Sequence, residues 1–566
     1  MSDQKSIVAI DDLSVSFATD GGDVKAIDGV TLDVHPREVL AIVGESGSGK
    51  SVTARTIIGL LPETATANGA VVLQSKSGGE HNIVRTSGER MRQLRGQEVA
   101  MVFQEASTAL NPVFPVGWQI AEGIRAHTKV KRKEAQRMAV EILEKVGIPN
   151  AAERVKEYPH QFSGGQKQRI VIAQALVQSP GLILADEPTT ALDVTVQAEI
   201  LDLLRRARDE FETAVVIITH NMGVVADLAD RVAVMYQGKL VEQAEVHELF
   251  ASPKHDYTKA LLDAVPHVGM GRSRAAARAV DRAEQRGRGE ALEPAVVAKG
   301  LEITYAGRFG RSGFKAVKGV DFEIYPGEVL GLVGESGSGK TTIGRAMAGL
   351  TPVSGGSMTV LGTEMLGVRE RDFKPLRSDI GFVFQDPATS FNPLLTIGQN
   401  VAEPFIVHGK AENAEDAQQQ VHDLLESVQL PKAFADRFPH ELSGGQRQRA
   451  SLARGIALKP KLLIADEPTS ALDVSVQARV LELFNELQDE FGFACLFISH
   501  DLAVVDMLAD RIAVLLHGEM VEEGTGAEVL GDPKHPYTQR LLASLPVPDP
   551  VEQAKRRERL HELQSQ

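Results

Sequence analysis

The sequence predicts an α/β protein built from two tandem copies of one domain, each with a mostly parallel core sheet. Three observations predict it. The seven residues GESGSGK occur twice, at Gly44–Lys50 and at Gly334–Lys340. Each copy follows an apolar run of strand length, EVLAIVG or EVLGLVG, and precedes a helical apolar pattern, SVTARTIIGLL or TTIGRAMAGL. Further apolar runs of strand length, LILADEP, VVIITH and their counterparts LLIADEP and CLFISH, end in polar residues, as buried strands of a parallel sheet do.

The repeat has a measurable register. Gly44 maps to Gly334, an offset of 290, and FQEA at 103–106 maps to FQDP at 384–387, an offset of 281. From SGGQKQR at 163–169 onward every match, ADEPTTALDV, ITHN and PKHDYT included, sits at 280. A period of that size is a domain, not a solenoid repeat. The first copy carries about nine extra residues near 74–95, a polar, glycine-containing stretch that reads as a surface insertion. The expected domains are 1–266 and 295–546. Between them, 267–294 is rich in Arg, Ala and Gly and reads as a solvated linker. Arg274, Arg278, Arg282 and Arg286 would line one face of a helix there, and anionic headgroups are the alternative reading of that stripe. The last residues, 547–566, read as a charged tail, frayed or helical.

Bulk composition narrows the function. Hydrophobic residues make up 43% and charged residues 24%, as in ordinary globular proteins. No run approaches the roughly 18 apolar residues of a membrane span, and the start is expected to carry no signal peptide. A net charge of −15 argues against nucleic acid as a partner. The single cysteine, Cys495, excludes an internal disulfide and any cysteine-ligated cluster.

Gly44, Gly47, Gly49, Lys50 and Ser51, and again Gly334, Gly337, Gly339, Lys340 and Thr341, fit the pattern G-x-x-x-x-G-K-[ST]. Glycines let backbone N–H groups curl around phosphate oxygens, and the following helix adds its positive N-terminus. The lysine neutralises β- and γ-phosphates, and Ser51 or Thr341 offers a hydroxyl to Mg²⁺. A chain of this length shows on the order of 0.03 such matches by chance, so two in the same strand–helix context are not accidental.

Asp186 and Asp466 end buried strands and are placed to hold Mg²⁺, directly or through water. Glu187 and Glu467 come next and are placed to orient or deprotonate an attacking water. His220 and His500 end further strands at the same sheet edge, within reach of a γ-phosphate. Gln104 and Gln385, after AMVF and GFVF, repeat the pattern and can hold Mg²⁺ or water. SGGQ reads as a serine N-cap, two glycines for close approach, and a helix, which makes a second anion-binding helix N-terminus.

Cradle, glutamine loop, SGGQ, ADEP, ALD and terminal histidine, in this order, closely resemble the nucleotide-binding domains of ABC transporters. The resemblance covers the chain outside the linker and tail. It implies two tandem P-loop NTPase domains, each with an antiparallel β subdomain and a helical signature subdomain beside the core sheet, and ATP and Mg²⁺ as cofactors. It implies an intramolecular head-to-tail dimer of the two domains. Site one would join Lys50, Ser51, Gln104, Asp186, Glu187 and His220 to Ser443, Gly444 and Gly445. Site two would join Lys340, Thr341, Gln385, Asp466, Glu467 and His500 to Ser163, Gly164 and Gly165. Asp193 and Asp473, in ALD, would cross the interface. Phe17 and Tyr305 sit where the family stacks adenine, and core packing is the other reading of an aromatic in a strand.

The segments SPKHDYTKALLDAVP (252–266) and DPKHPYTQRLLASLP (532–546) resemble the C-terminal extension of ATPases serving oligopeptide, dipeptide, nickel and glutathione importers. Asp256 stands where the pattern has proline. The resemblance implies two transmembrane permease subunits, an extracytoplasmic solute-binding protein, and a peripheral place on the cytoplasmic face of the plasma (inner) membrane. The family docks its membrane partners on STALNPVFPVG and ATSFNPLLTIG. The competing reading is a soluble tandem ABC ATPase acting on ribosomes, which would carry a longer helical linker and no such extension.

Overall fold

Five-residue runs with every side chain buried form the centre of each half: Val39–Val43, Leu182–Asp186 and Ala214–Ile218 in the first, Val329–Val333, Leu462–Asp466 and Ala494–Ile498 in the second. Strands buried on both faces belong inside a parallel sheet covered by helices. They do so here, in a computed structural model that describes residues 5–19, 21–76, 78–190, 192–266, 269, 293–307, 313–469 and 472–565. The linker stripe Arg274–Arg286 lies outside the described residues. By its internal contacts the chain divides into two units, Met1–Val265 with Pro546–Gln566, and Pro266–Leu545.

In the first unit, β1 (Val8–Thr19), β2 (Gly22–Val34), β4 (Ala65–Gln74) and β5 (Glu80–Asn82) form an antiparallel sheet in the order β2-β1-β4-β5. The core sheet comprises β3 (Val39–Val43), β6 (Val99–Val102), β7 (Leu182–Asp186), β8 (Ala214–Ile218), β9 (Arg231–Tyr236) and β10 (Lys239–Glu245) in the order β10-β9-β3-β8-β7-β6. All its pairings are parallel except β9 with β10. Helices fill the span between β6 and β7, among them Val116–His127, Arg132–Lys145 and Gly164–Leu176.

The second unit repeats this. Its antiparallel sheet is β12-β11-β14-β15, from β11 (Val296–Tyr305), β12 (Phe314–Ile324), β14 (Gly355–Val360) and β15 (Thr363–Glu364). Its core sheet is β16-β17-β18-β13-β19-β20, from β13 (Val329–Val333), β16 (Ile380–Val383), β17 (Leu462–Asp466), β18 (Ala494–Ile498), β19 (Arg511–Leu516) and β20 (Glu519–Gly524).

One stretch differs from expectation and another decides between two readings. The insertion near 74–95 is not confined to the surface: it supplies edge strand β5 and buries Met91 and Leu94. Gly59 makes room for it, since a Cβ there would lie 2.9 Å from the Met91 Cε. Phe373 fills the same place under Gly349 in the second unit, so a shorter segment achieves the same cover with a larger side chain. Of the two readings of the charged tail, frayed or helical, the helical one holds. The tail forms helix Pro550–Ser565, buries Leu560 and Gln553, and packs on helix Met222–Leu228 of the first unit.

Candidate functional site

In a parallel sheet the carboxyl ends of neighbouring strands share one edge, and ligands bind in the crevice there. The first unit's order β3-β8-β7-β6 therefore brings together the loop after β3, His220 after β8, Asp186 and Glu187 at the end of β7, and Gln104 after β6. The second unit does the same for the loop after β13, His500, Asp466, Glu467 and Gln385.

The loop after β3 runs into helix Lys50–Ile57, and its counterpart into Lys340–Met347. At Gly44 and Gly334 a Cβ would stand 2.1 Å from the carbonyl oxygen of Met235 or Leu515, so no side chain fits. At Gly47 and Gly337, φ is 79° and nothing lies within 4 Å of a Cβ position. The backbone there is left-handed and open on its outer face, which is how a loop presents N–H groups to an anion. Lys50 Nζ donates to the carbonyls of Gly44 and Glu45, each at 2.7 Å. Lys340 Nζ does the same to Gly334 and Glu335, each at 2.8 Å. The two ammonium groups are thus held beneath their loops with both side chains buried.

Ser51 Oγ donates to Asp186 Oδ1 and Thr341 Oγ1 to Asp466 Oδ1, both at 3.0 Å. Burial raises both aspartates above the usual carboxylate range, and the adjoining Glu187 or Glu467 charge adds to it. Such a carboxylate is short of positive charge. With the hydroxyl and the neighbouring glutamine amide it makes an all-oxygen donor set, which fits a hard cation such as Mg²⁺.

Glu187 and Glu467 form the centre of a second cluster. Gln104 Nε2 donates to Glu187 Oε2, and Gln385 Nε2 to Glu467 Oε2, both at 2.8 Å. His220 Nδ1 lies 3.2 Å from Glu187 Oε1, and His500 Nδ1 lies 3.3 Å from Glu467 Oε2. Burial works to raise both glutamates, yet the bond and charge of the histidine, the Thr190 hydroxyl or Gln385 amide, and the loop lysine together outweigh it and hold them below their ordinary value. Conversely, burial would lower His500, and its bond to Glu467 together with the charges of Glu467 and Asp501 outweighs that and raises it. In each unit two adjacent carboxyls are pushed in opposite directions, and environments that divide a pair in this way assign its members different tasks. Both glutamates have φ of 48°, left-handed for a non-glycine residue. That costs roughly 1–3 kcal/mol and turns the side chain away from the line of the strand.

SGGQ forms a capping box. Ser163 Oγ accepts the Gln166 N–H at 3.3 Å while Gln166 Oε1 accepts the Ser163 N–H at 3.2 Å, and Ser443 and Gln446 repeat it. The glycines differ. A Cβ on Gly165 or Gly445 would stand 2.3 Å from Val196 or Val476, so the second glycine serves helix packing. Gly164 and Gly444 have nothing closer than 3.8 Å, and Ser163 and Ser443 are exposed. Asp193 caps helix Val194–Phe211 by accepting the Val196 N–H, and Asp473 stands at the same position before Val474–Phe491. Phe17 is half-buried against the first unit's core, whereas Tyr305 is 42% exposed with its hydroxyl 3.2 Å from Thr342 Oγ1. Sequence reading missed Thr190, whose hydroxyl donates to Glu187 Oε2 at 2.9 Å. Its signal was only the second threonine of ADEPTT.

Residues 27–190 and 317–470 match the family described as ABC transporter. Together these two spans are more than half of the chain. The chain belongs to the ATP-binding proteins of ABC transporters. As such it is an ABC-type ATPase. Residues 241–289 and 521–565 of the ATPase match the oligopeptide/dipeptide transporter C-terminal region. The glutathione import ATP-binding protein GsiA of Pectobacterium atrosepticum is 44% identical over 565 residues, 97% of this ATPase and 90% of that protein. GsiA of Escherichia coli K12 is 44% identical over 576 residues, 98% and 92% of the two chains. Among solved structures, a dimeric post-hydrolysis ATP-binding cassette bound to ADP and Pi covers 41% of the ATPase at 32% identity, with a TM-score of 0.38.

Proposed function

We propose that the ATPase powers uptake of a peptide-like solute through separate permease subunits. The observation that carries this is the extension of oligopeptide and dipeptide transporters at the end of both copies, together with relatives named for glutathione import. Among the described residues no helix is long and apolar enough to cross a membrane, so translocation needs partners that do. We place the ATPase peripherally on the cytoplasmic face of the membrane, with an extracytoplasmic binding protein delivering the solute. The segments after the glutamine loops supply a surface for the permeases. Val113 is 69% and Leu394 83% exposed, and Phe114 and Trp118 stack at 4.1 Å on that surface. In the second unit a groove of about 420 Å³ lies alongside, lined by Leu350, Phe384, Val407, His408 and Arg454 among others.

In each unit the loop glycines and Lys50 or Lys340 grip the triphosphate. Ser51, Gln104 and Asp186, or Thr341, Gln385 and Asp466, would hold Mg²⁺, which supplies charge neutralisation between the phosphates. Glu187 and Glu467, ionised and oriented by glutamine and histidine, accept the proton of the attacking water. His220 and His500, held against these glutamates after the neighbouring strands, would contact the γ-phosphate. Ser163 and Gly164, with Ser443 and Gly444, offer a capped helix N-terminus to an anion, and Asp193 and Asp473 stand at the N-caps of the helices that follow them. Phe17 and Tyr305 stack adenine, Tyr305 with the more accessible ring. Both units keep every one of these groups, so both turn over. The test is to co-purify the permeases, rebuild the complex in liposomes and screen binding proteins loaded with glutathione and short peptides. Solute-stimulated ATPase and uptake are expected. Co-purification with ribosomes and no membrane partner would overturn the reading.

A further inference from the structure

The extensions at 252–266 and 532–546 have no task in the chemistry above, yet both reach the nucleotide loops. In the first unit Glu242, on β10, accepts the N–H groups of Lys254 at 2.8 Å and His255 at 2.9 Å. His255 Nδ1 then accepts the Tyr257 N–H at 3.1 Å and starts helix Asp256–Asp263. That fixes Tyr257, whose ring stacks on Tyr236 at 4.3 Å and whose hydroxyl oxygen accepts the Glu45 N–H at 2.9 Å. The second unit repeats every polar step. Glu522 accepts Lys534 and His535, His535 accepts Tyr537, and the Tyr537 hydroxyl accepts the Glu335 N–H at 3.0 Å. Asp256 in place of Pro536 leaves the chain of bonds intact, so the helix start depends on the histidine cap.

The bonded amide is the informative part. The Glu45 N–H and the Gly44 carbonyl belong to one planar peptide unit. Lys50 Nζ holds its oxygen end and Tyr257 holds its nitrogen end. Lys340 and Tyr537 hold the peptide between Gly334 and Glu335 in the same way. A rigid plane pinned at both ends cannot rotate, so the tyrosine sets the direction of the carbonyl that draws in the lysine. At Gly44 and Gly334 the backbone has positive φ and no side chain to restrain it.

We propose that Tyr257 and Tyr537 are positioning residues for the two nucleotide loops, through which each extension pre-sets its own unit's loop and lysine for the triphosphate. This rests on the reading of those loops as phosphate cradles. The test measures Mg-ATP binding by calorimetry, and steady-state ATPase, on the full chain. Tyr257→Phe and Tyr537→Phe keep ring and helix and remove only the hydroxyl. Each is expected to weaken one of two binding events by about threefold to tenfold, the range of a single lost hydrogen bond. The double variant should weaken both and raise KM for ATP with kcat changed less than about twofold. Tyr236→Phe, which alters the stacked neighbour, should leave both affinities alone. Unchanged affinity in the double variant, a loss confined to kcat, or an equal loss in Tyr236→Phe overturns the proposal. Lys50→Ala and Lys340→Ala separate its failure from that of the cradle reading, because they abolish binding only if the loops hold the phosphates.

Discussion

Arg557 Nη1 donates to both the carboxylate and the backbone carbonyl of Asp227, at 3.1 and 3.2 Å, across 330 residues of sequence. Arg205 takes the other carboxylate oxygen at 3.1 Å. Asp227 lies in helix Met222–Leu228, which begins two residues after His220. Gly223 in that helix touches Pro546, where a Cβ would meet backbone at 2.6 Å. The second unit has Ala503 and Met507 at the corresponding places, so this docking belongs to the first unit. Arg557→Ala leaves a buried carboxylate short of one partner and should cost about 1 kcal/mol locally. Hydrogen exchange across Met222–Leu228 should quicken about fivefold, with Leu502–Leu508 unaffected. Equal protection of Met222–Leu228 in the unaltered protein and in Arg557→Ala would show the helix docks without this bond.

The two signature glycines should respond differently. Gly165→Ala and Gly445→Ala drive a methyl group into Val196 or Val476 and should destabilise their units by about 1–3 kcal/mol. Gly164→Ala and Gly444→Ala meet no atom closer than 3.8 Å and should leave the denaturation midpoint within about 0.5 kcal/mol. The second pair should still impair ATPase, because that open face is the one offered to an anion. Chemical denaturation and ATPase assays on the four variants decide it.

How much of this was legible in the sequence follows from range. The loop from Gly44 to Ser51, the Ser163 cap and the Asp186–Glu187 pair are set by neighbours within a few positions, and strand runs such as Val39–Val43 placed them at one sheet edge. The bond from Tyr257 to Glu45 spans 212 residues and depends on how β9 and β10 carry the extension back over the loop. No periodicity encodes that. The docking of the helical tail was hidden for a related reason: Pro550–Ser565 is highly charged, and its burial rests on a few residues, Gln553 and Leu560 among them. The left-handed backbone at Glu187 was hidden because glutamate carries no signal for positive φ, unlike the glycines nearby.

Glu187→Gln and Glu467→Gln remove the proton acceptor but keep the shape and the contacts to Gln104 or Gln385. Each should depress turnover at its own unit, and the double variant should lose about 10²- to 10⁴-fold in kcat, the usual contribution of a positioned base. Mg-ATP affinity should persist. Near-normal ATPase in the double variant would refute the assignment of the base.

The grip on each extension should fail in acid. Burial opposes the charge on Glu242 and Glu522, but the neighbouring Thr258 or Thr538 hydroxyl and the paired backbone N–H groups together outweigh it, and both carboxyls sit below their ordinary value. A depressed folded value means that the stabilisation is complete above the unfolded value of about 4.3 and is lost as pH falls through the folded one. Exchange protection of helices Asp256–Asp263 and Pro536–Ala543 should therefore show an acid step that sets in below the unfolded carboxylate value and completes as pH falls through the folded one. Glu242→Gln cannot titrate, so in that variant the first of these helices should lose the acid step while the second keeps it. An acid step of the same size in both helices of the variant would assign the loss to general acid unfolding and not to this carboxylate.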